Sequence, residues 1–185
     1  MDEWRGIFNQ AFSQHLFKLD SFPVIDLDGK LLHYEAPIRL EWQGETLAAG
    51  RFLPWINRLE MSYQLDKEVL NLAIKIIELV GEPVCANLSV AAVVEPDFVS
   101  WFSEKLSTHP EAAGKLWIEI PESMAFRHLE NFKKLATRAK EYQCKVGIEH
   151  VGHQLAELGQ LSDIGLDYLK IDASFVRGID ENAAN

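Results

Sequence analysis

Ionisable and amide side chains recur where strand-like runs give way to polar sequence: Glu35, Arg39, Asn87, Glu119, Glu122, Glu149, His150, Lys170 and Asp172. Carboxylates and an amide oxygen are the hard donors that Mg²⁺ or Mn²⁺ requires, so their convergence would suit a metal-assisted reaction. Each residue alone has an ordinary role. An acid after a strand commonly caps the next helix or stands in solvent, and a lysine at a strand end can snorkel outward. His15 and His33 read as half-buried or surface residues rather than ligands. Only a fold that brings the strand ends together gives the group a chemistry.

The elements that must do this are legible in outline. Residues 4–17 place Trp4, Ile7, Phe8, Ala11, Phe12, His15 and Leu16 on one face at helical spacing. Two strand-like runs, 22–27 and 31–40, flank Asp28-Gly29, which predicts an antiparallel hairpin. Residues 51–80 read as helical with a break near Met61-Ser62, a buried stripe of Leu65, Val69, Leu72, Ala73 and Ile76, and a stop at Gly81. Strands over 84–90, 116–120, 145–151 and 168–175 then alternate with helices over 97–107, 126–142 and 155–161. That alternation predicts parallel strands with crossover helices, as in a (β/α) barrel whose strand C-termini form one mouth. Six strands fall short of the eight, in about 250 residues, of a closed barrel. The expected fold is therefore α/β, a TIM-like barrel lacking its last one or two β/α units, with open edges that predict a dimer.

Composition narrows the partners. With 48% hydrophobic and 25% charged residues, the 185-residue chain suits a packed globular domain. Lys+Arg 18 against Asp+Glu 28 gives a net charge of -10, which disfavours a nucleic acid duplex. No run is long enough to span a membrane, so no membrane contact by this segment is expected. Cys85 and Cys144 form no C-x-x-C pair and fit a reducing compartment.

The motifs Tyr34-Glu35-Ala36-Pro37-Ile38-Arg39, Phe52-Leu53-Pro54, Leu65-Asp66, Ala86-Asn87-Leu88-Ser89, Ile118-Glu119-Ile120-Pro121-Glu122-Ser123 and Leu169-Lys170-Ile171-Asp172 together resemble the EAL domain, in that family's order. The family comprises cyclic di-GMP phosphodiesterases and inactive receptor relatives. The resemblance implies a TIM-like barrel with an antiparallel first strand. It also implies a metal set of Glu35, Asn87, Glu119 and Glu149, with Lys170 near the attacking water and Glu122 steadying a catalytic and dimerisation loop. Cyclic di-GMP contacts are implied for Arg39, Phe52, Leu53, Pro54, Glu35 and Asn87.

Departures from the pattern point away from hydrolysis. Where the family has Asp-Asp-Phe-Gly-Thr-Gly, this chain reads Glu149-His150-Val151-Gly152-His153-Gln154. A longer carboxylate and a neutral imidazole weaken a two-metal site for hard cations. Pro37 replaces a leucine of the signature and removes a backbone donor. The metal set and Lys170 therefore read as vestigial, with no cofactor expected, or Mg²⁺ or Mn²⁺ if the site survives. The resemblance is nearest to LapD-type receptors, which implies a cytoplasmic cyclic di-GMP receptor in biofilm control, the cytoplasmic part of an inner-membrane protein, acting as a homodimer. Residues 1–19 would be a signalling helix and 20–185 an incomplete EAL domain. The alternatives are a weak metal-dependent phosphodiesterase giving pGpG, and a protein-interaction module without nucleotide.

Overall fold

The computed structural model describes residues 2–177. Helix α1 (Asp2–Ser13) buries Phe8 and Ala11. Its aromatic face holds it to the body: Phe8 packs on Phe52 and Trp4 stacks on Trp55, with ring centroids 6.4 and 5.9 Å apart. The helix expected over 4–17 ends at Ser13. His15, at φ +54° and pointing to solvent, helps turn the chain into β1 (Phe17–Leu19), whose Phe17 is buried. Residues 2–19 thus contribute a helix and a strand to the packed body rather than one helix.

Strands β2 (Phe22–Ile25) and β3 (Leu31–Glu35) form the expected antiparallel hairpin. Asp26 Oδ1 accepts hydrogen bonds from the N–H groups of Asp28 and Lys30 at 3.0 and 2.9 Å, and Gly29 takes φ +79° in the turn. The single strand expected over 31–40 is two. After Ala36-Pro37 the chain leaves this sheet and enters β4 (Ile38–Trp42), because proline has no N–H to continue the ladder. A turn at Gln43 and Gly44, with φ +52° and +82°, joins β4 to β5 (Glu45–Ala48). Positive φ at both residues is the type I′ geometry that matches strand twist. The small sheet β1-β4-β5 that results is absent from the sequence reading.

Helices α2 (Ala49–Arg58) and α3 (Ser62–Val80) follow, the second stopped by Gly81 in the left-handed conformation. Leu65, Val69 and Ala73 are buried as expected, but Leu70, Ile74 and Ile77 complete the buried face, while Leu72 and Ile76 are only half-buried. The repeating part runs β6 (Val84–Asn87), α4 (Ala91–Val94), α5 (Phe98–Thr108), α6 (Pro110–Ala113), β7 (Leu116–Pro121), α7 (Glu122–Arg127), α8 (Leu129–Glu141), β8 (Lys145–Val151), a 3₁₀ helix at Leu155–Ile164, β9 (Tyr168–Ile171) and α9 (Ala173–Val176). The strands expected over 84–90 and 168–175 stop at Asn87 and Ile171. In the second, Asp172 accepts a hydrogen bond from the Ser174 N–H at 2.8 Å and caps α9.

The main sheet has the order β2-β3-β6-β7-β8-β9, parallel throughout except for β2 against β3. It is a curled, open part of a TIM-like barrel with an antiparallel first strand, as the sequence predicts. Crossover helices cover it with a core that includes Phe98, Phe102, Leu106, Phe132 and Leu135, all fully buried. Leu169 and Ile171 of the β9 edge are exposed. Among the described residues no helix is long and apolar enough to cross a membrane.

Candidate functional site

Strand alternation stacks the concave side of the sheet in two layers. The parallel register puts Glu35 opposite Cys85, Asn87 opposite Glu119, and Gly147 opposite both Glu119 and Tyr168. Glu35, Asn87, Glu119, Glu149 and Lys170 form the layer at the mouth. Two residues earlier on each strand, His33, Cys85, Trp117, Gly147 and Tyr168 form the layer beneath. The His33 ring lies 4.3 Å from Trp117, and Trp117 lies 4.9 Å from Tyr168, centroid to centroid.

In the mouth layer Lys170 Nζ donates to Glu35 Oε1 at 2.5 Å and to Glu119 Oε2 at 2.9 Å. Carboxylates cannot donate, so the Asn87 amide turns its nitrogen to them, 3.0 Å from Glu119 Oε2 and 3.2 Å from Glu149 Oε2. Glu35 also accepts from His33 Nε2 at 3.3 Å. Burial pushes the Glu35 carboxyl up, but the hydrogen bonds from His33 and Lys170 outweigh it and hold the group below its ordinary value. Burial and the charge of Glu119 raise Glu149. Burial would lower Lys170, yet its two carboxylate partners raise it. Sequence-distant groups thus meet as one ionic network.

Glu122, nearly fully buried, accepts hydrogen bonds from the backbone N–H groups of Gly152, His153 and Gln154 at 3.1, 3.0 and 3.2 Å, so its carboxylate holds the turn after β8. His150 sits in a bulge of β8 at φ +56° and its Nδ1 lies 2.7 Å from Asp172 Oδ2. Its other nitrogen is 3.7 Å from Glu149 Oε2. The bulge aims this imidazole at Asp172 and Glu149 rather than at Lys170's partners.

Beside the mouth opens a cavity of about 330 Å³, lined by residues that include Ala36, Leu53, Val69, Asn87 and Glu149. That volume lies at the small end of ligand pockets. Asp66 forms part of its wall; burial pushes its carboxyl up to about 7 even though Ser89 donates to it twice, from its N–H and its hydroxyl. The apolar wall expected from Phe52, Leu53 and Pro54 needs correction. Leu53 lines the cavity, Phe52 is fully buried against Phe8 and Phe17, and Pro54 is exposed elsewhere on α2. The helical turn that presents Leu53 necessarily rotates its two neighbours away. Arg39 stands on β4, in the small sheet, with Nε 2.7 Å from Asp20 Oδ2 and Nη1 donating to the Ile38 carbonyl. It is held in an ion pair, and Asp20 is half exposed.

The oxygen donors are of the type a hard cation takes, although Glu35, Glu119 and Glu149 do not bring one oxygen each within 4.8 Å of the others as they stand. Glu119 Oε1 is buried with no hydrogen-bond partner, Glu35 and Glu149 belong to the same network, and Asn87 could offer its amide oxygen after a half-turn. Mg²⁺ or Mn²⁺ held there would polarise a phosphoryl oxygen or a water. At the adjoining position His150 offers only an imidazole already engaged by Asp172. His33, expected to be half-buried or at the surface, is buried in a lower layer that the sequence reading does not describe. Its signal was present: each member lies two residues before a mouth residue on the same strand.

The EAL domain family model matches residues 5–185. A cyclic di-GMP phosphodiesterase of Escherichia coli K12, PdeF, is 25% identical over 180 residues, which are 94% of this chain and 24% of that protein. The chain thus spans about a quarter of that relative's length. Among solved structures, the Pseudomonas aeruginosa FimX EAL domain bound to c-di-GMP superposes with a TM-score of 0.87 at 25% identity, covering 96% of this chain and 74% of that one. The Vibrio cholerae LapD S helix-GGDEF-EAL protein bound to c-di-GMP has the same fold, with a TM-score of 0.88 at 22% identity over 97% of this chain and 45% of that one. With the family match running almost end to end, the chain belongs to the EAL domain family.

Proposed function

We propose that this EAL domain binds cyclic di-GMP as a receptor and does not hydrolyse it at a useful rate. The observation that carries the reading is the contrast between the open cavity beside the mouth and the closed ionic network next to it. Lys170 is already paired with both Glu35 and Glu119, and His150 is turned onto Asp172. A nucleotide base can enter the cavity against Leu53 while Arg39 exchanges Asp20 for a phosphate, a fork for which guanidinium is suited. Isothermal calorimetry with the 185-residue chain should therefore give micromolar or tighter binding of cyclic di-GMP, weakened about tenfold or more by Arg39→Ala, or about 1.4 kcal/mol. Chromatography after incubation with Mg²⁺ or Mn²⁺ should show no pGpG. Absence of heat at high micromolar nucleotide refutes the receptor, and steady pGpG release refutes inactivity.

That second outcome is the rival reading, a slow phosphodiesterase, which the surviving oxygen set of Glu35, Asn87, Glu119 and Glu149 favours. A protein-interaction module without nucleotide draws its support from the Arg39–Asp20 pair. The receptor reading places the domain in the cytoplasm and includes a homodimer that covers the exposed Leu169 and Ile171, with α1 relaying occupancy through its Phe8–Phe52 contact. Light scattering should report twice the mass of the chain; a monodisperse monomer would remove the dimer from the proposal.

A further inference from the structure

The lower layer contains donors of a different chemical character from the mouth. A His33 ring nitrogen, a Glu35 carboxylate oxygen and Cys85 Sγ lie within 4.8 Å of one another, with His33 Nε2 and the carboxylate only 3.3 Å apart. We propose that these three residues form a site for a borderline-soft divalent transition metal of the Zn²⁺ type, inside the barrel and beneath the mouth. Thiolate, imidazole and carboxylate are the three ligand classes zinc takes, and tetrahedral bonds of about 2.0–2.3 Å place neighbouring donor atoms roughly 3.3–3.6 Å apart. One separation already meets that spacing. Rotation of the Cys85 side chain brings the thiol to it, since the thiol's present polar contact is a long 3.4 Å approach to the Tyr168 hydroxyl.

Register and charge support the assignment. Glu35 faces Cys85 across β3 and β6, and His33 lies two residues before Glu35 on the same face, so the backbone itself gathers the donors. His33 and Cys85 are buried, and the His33 Nδ1 has no hydrogen-bond partner, so the ring's polar contact is with Glu35 through Nε2 while Trp117 packs against its face. Around them Glu35, Glu119 and Glu149 face Lys170 in one concave space, an excess of negative charge that a divalent ion would reduce. Binding releases the thiol proton to solvent and leaves the imidazole neutral. At the mouth, hard oxygen ligands alone would take Mg²⁺, whereas sulfur and nitrogen select against it. Because Glu35 serves both sets, filling the lower site takes one carboxylate from Lys170 and from any cation above.

The test uses the full 185-residue chain, reduced and stripped of metal, titrated with Co²⁺ as a spectroscopic substitute for Zn²⁺. A thiolate-to-cobalt charge-transfer band should appear, saturate in the micromolar range and be displaced by Zn²⁺. Cys85→Ser should abolish the band and His33→Gln should weaken binding at least tenfold, while Cys144→Ser, whose thiol donates to the Ala113 carbonyl, should leave it intact. No band, or a band that persists in Cys85→Ser or disappears in Cys144→Ser, overturns the site. Should Cys85→Ser fail to fold, zinc-edge X-ray absorption on the unaltered protein decides: one sulfur at about 2.3 Å supports the site, and a shell of nitrogen and oxygen alone refutes it. Neither readout depends on whether cyclic di-GMP binds.

Discussion

Replacing Lys170 by methionine is expected to lower the unfolding free energy by about 2–3 kcal/mol, which for a domain of this size is a fall of roughly 4–12 °C in melting temperature. Removing one partner from a buried ion pair usually costs about 3–5 kcal/mol, because the charge left behind has neither water nor a counter-ion. The lower figure applies because the Lys170 side chain is 42% exposed, although Glu119 is 0% exposed. Water can reach the gap but cannot easily reach the carboxylate. Adding Glu119→Gln to the variant should recover most of the loss, a coupling that chemical denaturation of the two single variants and the double variant will measure. Mg²⁺ or Mn²⁺ should also raise the melting temperature of Lys170→Met more than that of the unaltered chain, since a cation can replace the ammonium among the same oxygens. A loss below 0.5 kcal/mol, with no cation dependence, would mean that the lysine lies on the network without neutralising it.

Gly147→Ala should be as damaging through packing alone. A Cβ built on Gly147 would lie 2.3, 2.5 and 2.7 Å from the Cζ, Cε2 and Cε1 atoms of Tyr168, closer than side-chain carbons approach. Tyr168 cannot simply retreat, because its ring is packed against Trp117 and its backbone is paired with β8. Overpacking of this kind costs about 1–3 kcal/mol, and this site should lie at the upper end. The cheapest relaxation moves β9 outward, which also draws Lys170 from Glu35 and Glu119. The substitution should therefore lower stability and perturb the mouth together, while Gly147→Ala with Tyr168→Leu restores both. Thermal unfolding within 1 °C of the unaltered protein would show that the ring yields freely.

Why these two positions matter is only partly readable from the chain. Six main-sheet strands, the Asp28-Gly29 hairpin and the break between α2 and α3 all follow from local pattern, because period and turn chemistry act within a few residues. Phe17–Leu19 and Glu45–Ala48 are not legible because such short runs outside the repeating alternation carry no measurable period, and their pairing with Ile38–Trp42 is a tertiary event. Residues 31–40 read as one strand since apolar character continues through Pro37, whose effect is to change sheets rather than to end extension. The mouth residues were found at strand ends, but the ionic order among them was not: Lys170 and Glu35 are brought together by the curl of the sheet. Arg39 shows the same gap, for its partner Asp20 lies on another segment. Phe52 turns inward instead of lining the cavity because a motif on a helix does not say which of its consecutive side chains faces the ligand side.

The Ala36-Pro37 step has a mechanical meaning. It puts Glu35 at the end of one sheet and Arg39 near the start of another, with Asp20-Ser21 making a second short link between the same two sheets. The two links lie side by side, joined by the hydrogen bond from the Asp20 N–H to the Pro37 carbonyl at 3.1 Å. The chain crosses a third time between α2 and α3, and Phe8, Phe17, Leu40 and Phe52 belong to the same core as the main sheet, so the small sheet, α1 and α2 are seated firmly on the barrel. A molecule gripping Arg39 on the small sheet and Asn87 on the barrel would brace the two across that seam. The brace would end one contact away from α1, which is stacked on α2 through Trp4 and Trp55 at the outside of the domain.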